Sequence, residues 1–183
     1  MLEEVQDETM MSQVREMLDE AFQDPYFNQA FSDEYVPGQG LQENVRGGIV
    51  VSLDKGRNIR GCFIYEHFIR VNKVTNVQLF NFTRKPGIVF ARDMVDFFGY
   101  MFNVLKAHKV GWLVNVGTDR EVFEDKIVKE YGGRIVGIYK DDAVSADGVL
   151  HDVKAYEVMR SDFVKHEIEK EERKEKHVRN HQG

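Results

Sequence analysis

The chain has 183 residues, of which 42% are hydrophobic and 31% charged, with a net charge of −6. That length and apolar fraction fit one globular domain plus an extension, with a core that needs no covalent staples. The acidic balance leaves no overall electrostatic footprint for nucleic acid, the lone cysteine Cys62 excludes an intrachain disulfide, and no apolar run approaches the ~20 residues that span a bilayer.

The acidic start, MLEEVQDETMM, lacks the basic and apolar regions of a signal peptide, so a cytoplasmic location is expected. A phage-encoded, virion-associated protein would have the same composition. Residues 2–6 read as a short first strand. Residues 8–22 then place Met10, Val14, Met17, Leu18 and Ala21 on one face of an amphipathic helix. Residues 24–40 hold Pro25, Pro37, Gly38 and Gly40 around Tyr26, Phe27, Phe31 and Tyr35, which reads as a short helix or turn followed by a loop, too aromatic for a disordered linker. Residues 41–46 are expected to add a helical turn.

From Gly48 the pattern turns strand-like. GIVVSLD and IRGCFIYE flank Lys55-Gly56-Arg57-Asn58, a turn signal that predicts an antiparallel hairpin, and Cys62 sits in the second run as a buried, inert thiol. A third run covers residues 74–83. Arg84, Lys85, Pro86 and Gly87 break it, and Phe90, Met94, Phe97, Phe98, Met101 and Leu105 then recur at 3.6-residue spacing, which predicts a long helix with one buried face. The next strand is GWLVNV, residues 111–116. Residues 120–131 carry Phe123, Ile127 and Tyr131 on one helical face, stopped by Gly132 and Gly133. Two more strands, residues 134–140 and 151–160, are joined by the loop DDAVSADGVL. This order predicts an α/β (α+β) domain over residues 1–160, with a mixed, mostly antiparallel central sheet flanked by helices. Residues 161–183 form a charged C-terminal helical extension, rich in Glu, Lys, Arg and His, with no sustained heptad.

The strand, basic loop and helix of residues 76–105 carry the strongest functional signal. A helix that starts just after a strand presents free N–H groups and a positive dipole end, which suit a phosphate, and Arg84 and Lys85 add charge beside it. In its element order the chain resembles the GNAT N-acetyltransferase superfamily over residues 1–160. The family loop Arg/Gln-x-x-Gly-x-Gly/Ala is matched by Arg84-Lys85-Pro86-Gly87-Ile88-Val89, where Val89 replaces the small residue and Pro86 removes a backbone donor. The resemblance implies acetyl-CoA as cosubstrate, its pyrophosphate on Arg84, Lys85, Gly87, Ile88 and Val89, and its pantetheine arm beside Asn81, Phe82 and Thr83. GWLVNVGTDREVFEDKIVKEYGGRIVGIY looks like the family's fifth strand, fourth helix and sixth strand, and residues 147–152 running into KAYEVMR look like its closing hairpin. The tyrosine that many members carry four residues before the helix-ending glycine is Val128 here, and the family's asparagine has only Asn115 and Thr118 nearby.

Acetyl transfer to an amine needs a base for the ammonium proton, donors for the carbonyl, and an acid for the thiolate. Gln78 stands on the third strand where a carboxylate would serve, so Glu66, beside His67, is the nearest candidate base; Tyr139, or Tyr100, is the candidate acid. His177 and His181 are spaced i, i+4 without an evident third ligand, so no metal site is expected. The expected partners are acetyl-CoA and an amine acceptor, with residues 162–183 as an arm for a protein partner and no role for membrane or nucleic acid. The alternative is a GNAT-like fold that has lost catalysis and serves in binding or assembly, such as a phage virion component.

Overall fold

The computed structural model describes residues 1–23, 45–83, 88–144 and 148–180. Seven strands form one sheet: β1 (Leu2–Glu4), β2 (Val45–Leu53), β3 (Ile59–Phe68), β4 (Lys73–Asn81), β5 (Lys109–Asn115), β6 (Arg134–Val144) and β7 (Leu150–Met159), in the order β1-β2-β3-β4-β5-β7-β6. Only β4–β5 is parallel; every other neighbouring pair is antiparallel. Helices α1 (Glu8–Gln23), α2 (Ile88–Asn103), α3 (Asp119–Glu130) and α4 (Arg160–Asn180), with a 3-10 turn at Ile69–Val71, complete the described architecture. None of them is long and apolar enough to cross a membrane.

Alternation along the strands divides the core between the two sheet faces. On what we call the front face, Val14, Leu18 and Ala21 of α1 pack on Ile49, Val51, Cys62, Ile64 and Phe80. On the back face, Met94, Phe97, Phe98, Met101 and Phe102 of α2 join Phe63, Val77, Leu79, Trp112 and Tyr156, with Ile127 and Val128 of α3 and Phe163 of α4. Rings lock this layer: Phe63 stacks on Phe97 at 4.6 Å, Trp112 on Tyr156 at 5.5 Å, and Phe163 lies 5.1 Å from Phe102. The 3.6-residue stripe of α2 thus does what its spacing predicts.

Two boundaries differ from the sequence reading by more than two residues. Val45 and Arg46 belong to β2 rather than to a helical turn, because they pair with Phe68 and His67 of β3. The strand expected to end at residue 140 runs on to Val144: Ala143 and Val144 pair with His151 and Leu150 after an irregularity at the left-handed Asp141 (φ 51°), whose N–H donates to the Asp152 carboxylate at 2.9 Å. Residues 24–44, 84–87, 145–147 and 181–183, with the expectations placed on them, lie outside the described residues.

Candidate functional site

The site begins where the sheet comes apart. β4 and β5 pair only at Lys73–Lys109 and Val74–Val110. Beyond those rows β4 stays with β3 as far as Asn81, and β5 stays with β7 as far as Asn115. The parallel ladder therefore stops two rows in, leaving a splay whose apex is at Val74 and Val110. A bulge sits at the apex. Between the Ile64–Gln78 and Glu66–Thr75 pairs β4 carries an extra residue, and Asn76 adopts φ 51°. The inserted residue reverses the facing of the strand, so Val74 and Val77 both enter the back-face core.

At the open end, the Asn81 carboxamide oxygen accepts from the Thr83 N–H (3.2 Å) and hydroxyl (2.7 Å), a turn that ends β4. The Phe82 N–H still donates to the Arg60 carbonyl at 2.9 Å. Six residues separate the end of β4 at Asn81 from the start of α2 at Ile88, and the N–H groups of that helix's first turn lack helical acceptors. Asp93, 4% exposed, fixes that end of α2. Its carboxylate accepts a short bond from the Ser52 hydroxyl and one of 2.9 Å from the Arg60 guanidinium, which also reaches the Ser52 oxygen at 3.1 Å.

A second polar cluster seats α3 against β5 and β7. Thr118 caps the helix, accepting from the Glu121 N–H at 3.3 Å. Glu124 is 1% exposed and takes the Trp112 indole N–H and the Arg120 guanidinium (2.7 Å); burial pushes its carboxyl up, with Arg120 opposing. The Tyr156 hydroxyl donates to Asp125 at 2.7 Å and holds that carboxyl below its usual range, with Lys154 adding to the effect. Burial alone would lower Lys154, but hydrogen bonds to Glu121 and Asp125 outweigh it and raise its pKa.

The candidates read from sequence fall at separate places around the splay. Glu66 lies on the front face beside the bulge and accepts from the Asn76 carboxamide at 2.6 Å. Tyr139 is half-exposed on the outer strand β6, in the row Asn115–Val153–Tyr139, and the pairing puts it on the front face too. Four strand spacings of ~4.8 Å, ~19 Å in all, separate β3 from β6, so the two side chains are not brought together. Tyr100 lies on α2, packed against the back-face core. Asn81, Phe82 and Thr83 sit at the mouth, with Phe82 stacked 6.2 Å from Phe80. Arg84, Lys85 and Gly87 lie outside the described residues.

Gln78 has a feature that the sequence did not supply. It follows the bulge on the front face, opposite Ile64, and its Oε1 is buried with no hydrogen-bond partner among the described residues. The Ser52–Arg60–Asp93 group was also missed, although Asp93 had left a trace: it stands one turn before Phe97, at the margin of the apolar stripe of α2.

No protein-family model matches the chain, and no curated protein matches its sequence. Solved structures do. A point mutant of spermidine N-acetyltransferase SpeG from Vibrio cholerae superposes with a TM-score of 0.68 at 14% identity, over 89% of this chain and 96% of that one. The fold is that of the GNAT N-acetyltransferases. The V. cholerae enzyme in complex with CoA and spermine shares it, with a TM-score of 0.65 and 16% identity over 90% of this chain and 97% of that one. So does a SpeG chimera with hSSAT, at 0.57 and 19% identity over 64% and 70%. In the GNAT fold, then, this chain places a bulged β4, a splay after two parallel rows, and a helix that starts after six residues intervening from the strand end.

Proposed function

We propose that the protein is an acetyl-CoA-dependent N-acetyltransferase that moves an acetyl group to a cationic amine. The splay between β4 and β5, opening at the bulge and ending at the start of α2, carries this reading. A pantetheine arm is extended and rich in amides, so it fits a gap whose walls are strand edges. The residues fit its phosphates as well: helix N–H groups follow the strand end, and Arg84 and Lys85 supply positive charge in the sequence between Thr83 and Ile88. Asn81, Phe82 and Thr83 would flank the arm, with Gly87, Ile88 and Val89 beneath the pyrophosphate.

The cosubstrate supplies an activated acyl group as a thioester. The chain's own residues must then orient an amine and take its proton, and the departing sulfur must gain one. In this reading Glu66 accepts the ammonium proton through water, because β3 does not border the splay directly. Tyr139, four strand spacings away, is too far to serve the same thioester, and the thiolate takes its proton from solvent. The unpartnered Gln78 oxygen is an acceptor suited to an amine N–H. The net charge of −6 favours a cationic acceptor, and a neighbour of the same fold is a spermidine N-acetyltransferase.

Calorimetry with acetyl-CoA, followed by a thiol-release assay across primary amines and polyamines, tests this. Glu66→Gln should lower kcat/KM by ~100-fold while leaving acetyl-CoA affinity in place. Absence of binding at ~1 mM acetyl-CoA by a folded protein would sink the enzyme reading.

A further inference from the structure

One end of the sheet is basic, although the chain as a whole carries a net charge of −6. It is the closed end, at the apex of the splay, where β2, β4 and β5 begin and β3 and β7 finish. Four separate segments meet there: residues 45–46, 67–73, 104–110 and 159–161. They hold Arg46, Arg70, Lys73, Lys106, Lys109 and Arg160, two histidines, and no aspartate or glutamate. Strand pairing sets them in a row, with Arg46 beside His67, Lys73 beside Lys109, and Lys109 beside Met159, which precedes Arg160. The row crosses five strands, ~19 Å in all. Lys109 is bonded to Glu157 at 2.8 Å, a carboxylate that Arg134 shares. Arg46, Arg70, Lys106 and Arg160 are exposed and have no ion-pair partner among the described residues.

Aliphatic side chains stand between these cations. Ile69 and Val71, on the turn between β3 and β4, are 41% and 54% exposed, and Val104, just after α2, is 62% exposed. The two connections are braced on one residue, Asn72, which adopts φ 46°. Its carboxamide donates to the Lys106 carbonyl at 2.6 Å, and its own carbonyl accepts from the His108 N–H at 2.8 Å. The Arg160 N–H donates to the His108 carbonyl at 2.9 Å, which ties in the start of α4. Backbone bonds thus hold these exposed groups in place, so binding through them orders little of the chain.

We propose that this end of the sheet docks on an anionic lipid surface. Ile69, Val71 and Val104 enter the boundary between headgroups and acyl chains, while the exposed cations meet the headgroups. Charge complementarity selects an anionic partner, and the aliphatics select a bilayer. A polynucleotide would pair with the cations and leave Ile69, Val71 and Val104 in water. These three sit on connecting turns rather than in a groove, which suits a flat layer better than a peptide. Docked in this way, the mouth of the splay at Asn81, ~25 Å further along β4, faces away from the lipid. No single run of the sequence announces the surface, because its four segments meet only in the fold. The docking is independent of the acyl-transfer reading and holds for an inactive protein.

Flotation of the full chain with vesicles of phosphatidylcholine, alone or with about 30% phosphatidylserine, tests it at ~50 mM and ~500 mM salt. The wild type should bind the anionic vesicles in low salt, and more weakly in high salt or without phosphatidylserine. Arg70→Gln, Lys106→Gln and Arg160→Gln together should lower lipid affinity ~100-fold. Lys55→Gln, Lys126→Gln and Lys129→Gln remove as many exposed charges elsewhere and should leave affinity within about two-fold. Ile69→Ser, Val71→Ser and Val104→Ser together should lower affinity ~10-fold or more while keeping the wild-type salt dependence. Circular dichroism verifies that each variant is folded. A wild type that ignores ~1 mM anionic lipid in low salt overturns the proposal, including the case where it binds duplex DNA or polyglutamate instead. Equal losses in the two charge variants overturn it, because net charge alone would then explain binding. An aliphatic variant that binds like the wild type overturns it too, because nothing would then enter the bilayer.

Discussion

The Asp93 carboxylate sits between a strand hydroxyl and a strand guanidinium while belonging to a helix, so one residue ties α2 to β2 and β3 at the end nearest the splay. Its removal leaves the Arg60 guanidinium, 23% exposed, facing a buried hydroxyl without its counter-charge. Asp93→Ala should cost about 2–3 kcal/mol, and Asp93→Asn less, read from urea unfolding. Glu157 is the acid-sensitive counterpart. Lys109, bonded at 2.8 Å, and then Arg134 hold its carboxyl below the usual range. The folded chain therefore binds fewer protons at this group than the unfolded one. The stabilisation is complete above the ordinary glutamate pKa and is lost as pH falls through the depressed value. Glu157→Gln should destabilise by about 1–2 kcal/mol at pH 7, a modest figure because Lys109 and Arg134 are partly solvated, and the deficit should shrink below pH ~4.5. Glu124 has the opposite sign: burial raises its pKa, so acidification relieves a cost there.

At the scale of elements, the bulge in β4 decides where the sheet can open. An extra residue at Asn76 turns the strand over, and the left-handed φ of 51° is one that asparagine tolerates and β-branched residues do not. Asn76→Gly should leave stability within about 0.5 kcal/mol, whereas Asn76→Val should cost about 1–2 kcal/mol; thermal unfolding of the pair checks both. The same comparison probes the site, since either change removes the bond that orients Glu66. If acetyl transfer runs through Glu66, Asn76→Gly should lose activity while keeping its fold.

In the whole molecule, α4 is tied to the core near its start. Phe163 packs against Phe98, Phe102 and Tyr131 and is 5% exposed. Phe163→Ala should destabilise by about 3 kcal/mol or more. Removing residues 173–183 should shift the melting temperature by less than ~2 °C, because among the described residues Phe163 is the one that α4 adds to the buried back-face core.

Element types were largely legible in the sequence, because each followed a local period. Alternation marked β2 and β3, Lys55-Gly56-Arg57-Asn58 marked their turn, and the Phe and Met stripe marked α2. The failures were also local in kind. Val45 and Arg46 carried no strand signal of their own and are strand because β3 supplies their partners; Asp142 reads as loop and is held in β6 by pairing around it. The order of elements around the strand, basic loop and helix was enough to indicate the fold. Tertiary structure alone decided the rest. The termination of the β4–β5 ladder after two rows, the Ser52–Asp93 contact across 41 residues, the buried unpartnered oxygen of Gln78 and the ~19 Å between the strands of Glu66 and Tyr139 all depend on residues distant in the chain. Periodicity fixes which way a side chain faces within its own element. Which groups share a site depends on how strands are ordered and where their pairing stops, and no local pattern encodes that.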